Sequence, residues 1–205
     1  MEWISIQRRI RTMMYDCCQM LMGNVSKQAS IFCNNCIGAF VAHDFKLPFN
    51  SPTVNLMIPP ADFITYIENM DKYKNATIEQ TVSNKEWPVA LLGGNIELNF
   101  IHYNSVELGR EAWQRRSARI NPNELYFILV ETDGCTYADL KRFNNLPYKN
   151  KVALTHKPYP DIKCAYYIKG YENEKGVIDS YRFHKFLPLR IYDQFNWMKF
   201  LKSRK

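Results

Sequence analysis

Short apolar runs rich in β-branched and aromatic residues recur along this chain, and between them lie segments whose apolar residues return every three or four positions. This alternation constrains the fold more than any other feature. A strand, a helix and a second strand in succession close most readily as a parallel pair with the helix crossing over between them. The strands expected are Ser30 to Cys33, Thr53 to Ile58, Ile96 to His102, Leu125 to Glu131 and Lys151 to Thr155. The helices expected are Ile37 to Phe45, Ala61 to Lys72, Ser105 to Ile120 and Tyr137 to Asn144. Pro59-Pro60 with Asp62, Ser105, and the Thr136-x-x-Asp139 spacing all suit helix starts. The fold expected is α/β, in three layers, with a doubly wound and largely parallel sheet and an amphipathic N-terminal helix.

That N-terminal helix is read over Trp3 to Met22. Helical spacing puts Ile6, Ile10, Met13, Met14, Cys17 and Leu21 on one face and leaves Arg8, Arg9, Arg11 and Asp16 largely off it, while Gly23-Asn24 supplies a stop. The chain then divides into a helical prologue, residues 1–28, and a single α/β domain, residues 29–205. A closing helix is expected around Phe195, Trp197, Met198 and Leu201. Two readings of the prologue stand: the helix packs on the domain or on a second subunit, or it lies on a membrane surface as a peripheral anchor. No run reaches the roughly 18 apolar residues of a membrane span, and no small-residue cleavage site follows the N-terminus. The expected location is the cytoplasm, extended to the inner face of the membrane on the second reading. The six cysteines stand at irregular positions and read as reduced thiols.

The formal charge of +7 points to an anionic partner. Basic residues gather at Arg8-Arg9-Ile10-Arg11, at Arg115-Arg116-Ser117-Ala118-Arg119 and in the tail from Lys199. No zinc-finger spacing or aromatic-basic RNA-binding signature accompanies them, so nucleic acid is not expected. Phosphate loops and dinucleotide fingerprints are missing too, no second Cys or His pair joins Cys33 and Cys36 at the spacing of a zinc site, and the sequence identifies no cofactor.

In a doubly wound sheet ligands bind beyond the carboxyl ends of the strands, so the residues just after each strand belong together. The first strand leads to Asn34, Asn35 and Cys36, the third to His102, Tyr103 and Ser105, the fourth to Asp133, and the fifth to His156. Cys36 is a nucleophile if His102 or His156 approaches it, because imidazole accepts the thiol proton and a helix N-terminus favours the thiolate. Asn34 and Asn35 would offer amide donors to a developing oxyanion. Arg115, Arg116 and Arg119 would hold a phosphate or carboxylate, with Arg115 and Arg119 sharing one helix face. The alternative for Cys36 is a small turn residue. Cys33-Asn34-Asn35-Cys36 also matches a dithiol redox motif, but the surrounding element order does not fit a thioredoxin unit. Glu131-Thr132-Asp133-Gly134 after a strand resembles the acidic pair with which many glycosyltransferases hold a metal and a sugar nucleotide, but Asp133-Gly134 reads equally as turn chemistry, the favoured reading.

Several segments together resemble a bacterial family of uncharacterised exopolysaccharide-biosynthesis proteins. They are Asn34-Asn35-Cys36-Ile37-Gly38, the stretch Leu47-Pro48-Phe49-Asn50-Ser51-Pro52-Thr53 running to Asp62-Phe63, Phe100 to Ser105, Trp113 to Asn121, and Phe143 to Val152. The resemblance implies an α/β fold and a part in making capsule or exopolysaccharide. In that family serine often stands where this chain has Cys33, which leaves Cys36 as the thiol of interest. The function expected is an acyl or glycosyl transferase acting on a polysaccharide precursor, centred on Cys36 and His102, with a sugar phosphate, sugar nucleotide or acyl-coenzyme A as anionic ligand. The alternative is a noncatalytic scaffold in a membrane-associated assembly complex.

Overall fold

The computed structural model describes residues 2–132 and 134–202. Asp133 and the end of the basic tail therefore lie outside the described residues. Helix α1 (Glu2–Met22) is followed by β1 (Ser30–Cys33) and α2 (Ile37–Asp44), then by α3 (Pro60–Glu68) and the short α4 (Met70–Tyr73). Strands β2 (Ile78–Gln80), β3 (Val89–Leu92) and β4 (Ile96–Asn99) precede α5 (Val106–Ser117). The remainder runs β5 (Leu125–Val130), α6 (Tyr137–Asn145), β6 (Lys151–Thr155), β7 (Ala165–Tyr167), a 3₁₀ turn at 191–194, and α7 (Trp197–Lys202).

The α/β class is borne out. Four strands form a parallel sheet in the order β1-β5-β6-β7, with Phe32 beside Phe127 and Ile128 beside Val152. Because successive side chains point to opposite faces, the sheet buries both. Phe32, Phe127, Leu129 and Ala153 join the α3, α5 and α6 side. Ile31, Cys33, Tyr126, Ile128 and Leu154 meet α2 and α7. Burial on both faces is the usual condition of a parallel sheet, and it explains why β5 reads as an unbroken apolar run. The strand order advances in one direction, without the reversal that opens a central crevice in a doubly wound sheet.

Two expected strands sit elsewhere. Thr53 to Ile58 forms a turn, with Asn55 at φ 62 and a lone bridge from Met57 to Asn99. This segment lies along the open edge of β1 and satisfies it with a side chain: Thr53 Oγ1 accepts from Cys33 N–H at 3.1 Å. The segment read as Ile96 to His102 ends at Asn99 and belongs to a separate antiparallel sheet, β2-β3-β4. Its hairpin turns through Gly93 and Gly94, at φ 60 and φ 80, a conformation glycine reaches without steric cost. Helix starts follow the sequence more closely. Ser105 Oγ accepts from Leu108 N–H, and Thr136 and Asp139 cap α6 reciprocally.

Candidate functional site

Cys36 stands where β1 gives way to α2, at the N-cap, with φ −71 and ψ −8. Gly38 allows the helix to start this close to the strand, since a Cβ there would sit 2.7 Å from Cys33 Cβ. The Cys36 sulfur lies 3.3 Å from His102 Nε2. This pair joins the end of the parallel sheet to the loop after β4 across 66 positions, and it is one of the two approaches, His102 or His156, that the sequence left open. With the imidazole proton on Nδ1, Nε2 is free to accept the thiol proton. Burial pushes the Cys36 thiol up to about 11, the reverse of the lowering expected from the helix N-terminus. Desolvation outweighs the dipole here, so the thiol is neutral near pH 7.

A cleft of ≈ 270 Å³ opens beside the pair, lined by Asn35, Cys36, Met57, Ile101, Thr132 and a wall from Val177 to Tyr181. The wall is fixed at its base by Gly176, where a Cβ would fall 2.3 Å from Glu131 O, and by Val177 N–H, which donates to that oxygen at 2.6 Å. A second groove of ≈ 390 Å³ carries Arg8, His43 and Arg190 across α2. The two are separated by Phe40, which stacks on Tyr181 with ring centroids 5.7 Å apart and takes the Arg190 guanidinium on its face at 4.4 Å.

The other expected site residues divide. Asn35 faces the cleft; its Oδ1 accepts from Ile37 N–H at 3.0 Å, and its Nδ2 has no hydrogen-bond partner among the described residues. Asn34 does not face it. Its side chain is buried, with Nδ2 donating to Val130 O at 3.1 Å and Oδ1 accepting from Val130 N–H at 2.8 Å, so the amide continues the ladder between β1 and β5. Ser105 is committed to capping α5, and Tyr103 accepts at its hydroxyl from Arg116 at 2.6 Å. Arg116 itself is buried and also donates to Val54 O, which makes it a strut beneath the 53–58 turn and removes it from the expected anion site. Arg115 and Arg119 are exposed; Arg115 stands in the last turn of α5, about 15 Å along the axis from Ser105 at 1.5 Å per residue, while Arg119 lies past the helix end at Ser117, so the two do not share the helix face expected. Asn121 N–H nearby donates to Ser30 Oγ at the start of β1, so this end of α5 lies at the opposite end of β1 from Cys36.

His156 follows β6, two strand spacings or roughly 10 Å from β1, and lies outside the Cys36 cleft. It joins a cluster with Glu131 and Tyr159. Glu131, buried, accepts from His156 N–H at 2.9 Å and from the Tyr159 hydroxyl at 2.6 Å. His156 Nδ1 lies 2.8 Å from the same Glu131 oxygen but is not aligned to hydrogen-bond with it. Glu131 was read as the end of a strand, and it is the position just past β5 that made a buried carboxylate foreseeable. The 177–181 wall left no sequence signal. Among the described residues, no three His, Cys, Asp or Glu side chains group to hold a metal.

Residues 9–202 match the family described as Domain of unknown function (DUF1919). The chain belongs to the DUF1919 family. It is also similar to an uncharacterized protein of Haemophilus influenzae, 42% identical over 165 residues that cover 80% of each chain. Family membership thus spans both the parallel sheet and the loops that carry Cys36 and His102. None of the helices described is long and apolar enough to cross a membrane.

Proposed function

We propose that this DUF1919 protein is a thiol-dependent acyl transferase whose nucleophile is Cys36 and whose proton carrier is His102. The observation that carries the reading is the 3.3 Å approach of Cys36 Sγ to His102 Nε2 at the mouth of a cleft. Because burial keeps the thiol protonated, His102 acts as a general base during attack, without a preformed thiolate. The sulfur bonds to the acyl carbonyl carbon as its proton passes to Nε2. The carbonyl oxygen becomes an oxyanion, to which Asn35 Nδ2 would donate, its Oδ1 being held by Ile37 N–H and the Cys33 thiol. Collapse breaks the bond to the leaving group, which departs with the proton from His102. An acceptor hydroxyl then attacks the thioester, gives its proton to His102, and the sulfur regains a proton as it leaves.

The basic residues of the neighbouring groove, which also holds Asp44 paired to Arg11, support an anionic donor. Arg8, His43 and Arg190 lie across the Phe40 and Tyr181 wall, where they suit the phosphates of an acyl-coenzyme A. The acceptor, a hydroxyl of a polysaccharide precursor, rests on the resemblance to exopolysaccharide-biosynthesis proteins. Glycosyl transfer from a sugar nucleotide is the competing chemistry, and it has no use for a thiol. Incubation with acetyl-coenzyme A should leave one acyl group on Cys36 by intact-mass analysis, and none on Cys36→Ala. His102→Ala should slow acylation by roughly 10²- to 10⁴-fold, the usual worth of a positioned base. Thermal stabilisation by a sugar nucleotide with Mg²⁺, unchanged in Cys36→Ala and with no acyl-enzyme formed, would sink the assignment.

A further inference from the structure

Helix α1 turns outward the residues that a helix of this composition ordinarily buries. Its inward stripe is Gln7, Arg11, Tyr15 and Gln19, four apart. Arg11 is fully enclosed, with Nε donating to Asp44 Oδ1 at 3.0 Å and Nη2 to Asp193 Oδ1 at 2.8 Å. Ile6, Ile10, Met13, Met14, Cys17 and Leu21 consequently face outward, Met13 at 62% and Leu21 at 76% exposure. At 100° per residue this face spans an arc of roughly 100°. The helix thus packs on the domain, as one reading of the sequence has it, but through its polar stripe and not its apolar one. The reason is the ion-paired socket around Arg11, which fixes the rotation of the helix.

A second segment widens the apolar face. Trp3 Nε1 donates to Lys185 O at 3.0 Å, and Gln7 Nε2 donates to His184 O and Leu187 O, both at 2.8 Å. The bonded loop presents Phe186 at 75% and Leu187 at 51% exposure beside the start of the arc. Cations border it: Arg9 on the helix, Lys185 in the loop, and Lys202, which bonds Met22 O at the helix end. On the helix, the carboxylate of Asp16 is neutralised by Lys46 at 2.6 Å. Apolar side chains with a basic rim match a bilayer surface bearing anionic headgroups. A second copy docked on the same face would set like charges against each other, and the chain as a whole carries +7.

We propose that α1 and the 185–187 loop form a docking face for an anionic membrane surface, with α1 lying in the plane of the interface. The proposal is independent of the chemistry assigned to Cys36. The test is flotation of the full chain with vesicles of phosphatidylcholine alone and of an equal mixture with phosphatidylglycerol. Binding is expected to the mixed vesicles, weakened by salt. The double variant Met13→Glu, Leu21→Glu should reduce it at least about tenfold, with the circular dichroism and melting temperature preserved because both residues are exposed. Arg9→Gln and Lys185→Gln should each weaken it about fivefold. No flotation with the mixed vesicles, or flotation unaltered in Met13→Glu, Leu21→Glu, overturns the proposal. So does a dimer in sedimentation equilibrium that this variant dissociates, since the face would then belong to a second copy.

Discussion

Asn34, Asn35 and Cys36 are adjacent and similarly polar, yet each has a different task. Asn34 replaces a backbone peptide in the sheet. Its loss in Asn34→Ala leaves the buried N–H and C=O of Val130 without partners, a cost of about 1–3 kcal/mol for each. Urea denaturation should show a loss of that order, and a change within error would mean that water or a shifted backbone takes its place. Cys36 allows a test by pH. Its thiol is raised to about 11 by burial, so alkylation of the resting protein by iodoacetamide, followed at Cys36 by mass spectrometry, should be slow at pH 7. The rate should climb about tenfold per pH unit through pH 8–10, since only the thiolate reacts. A plateau already reached at pH 7 would instead mark a preformed thiolate. The Cys36 and His102 pairing was legible because both follow apolar runs that end on polar residues. Asn34's role was not, since a sequence cannot say which of two neighbouring amides turns inward.

At the scale of elements, β1, β5, β6 and most helices could be read from periodicity and capping chemistry, as Thr136 and Asp139 illustrate. The 53–58 segment was misread because its apolar residues are buried as a strand's would be, while Asn55 and the flanking prolines Pro52 and Pro59 bend it into a turn. For α1 the sequence gives the helix but leaves its rotation open. Amphipathic periodicity identifies the apolar stripe, and it takes the distant Asp44 and Asp193 to show that a buried arginine outcompetes it for the inside. Burial alone would lower the Arg11 pKa; the hydrogen bonds to Asp193 and Asp44 more than offset this and raise it. Arg11→Met removes the cation from two buried carboxylates and should cost about 3–5 kcal/mol, read by thermal or urea melts. Full stability in that variant would show that α1 contributes nothing to the fold it leans on.

For the molecule as a whole, the two apolar clusters on either face of the sheet account for the stability, and buried thiols make it depend on alkaline pH. Burial raises Cys33 to about 12, Cys36 to about 11 and Cys135 to about 12, while an unfolded thiol titrates near 8.5. Each folded-state value lies above its unfolded one, so the folded protein holds protons that the unfolded chain releases. The associated stability is complete below about pH 8 and falls as pH rises through 9–11, by up to roughly 1.4 kcal/mol per pH unit for each thiol. Urea midpoints unchanged between pH 8 and pH 10.5 would contradict the burial of these groups. The C-terminal third was the least legible, because its 177–181 wall is placed by one glycine against one carbonyl and by no periodic pattern. The Arg11 socket has a further consequence, for the order of folding. Asp193 lies 182 residues beyond Arg11, so during synthesis α1 waits for a partner that emerges near the end of the chain. Docking of α1 should therefore be a late event that follows the sheet, and throughout translation its methionine-rich face stays open to whatever surface or chaperone lies near the ribosome.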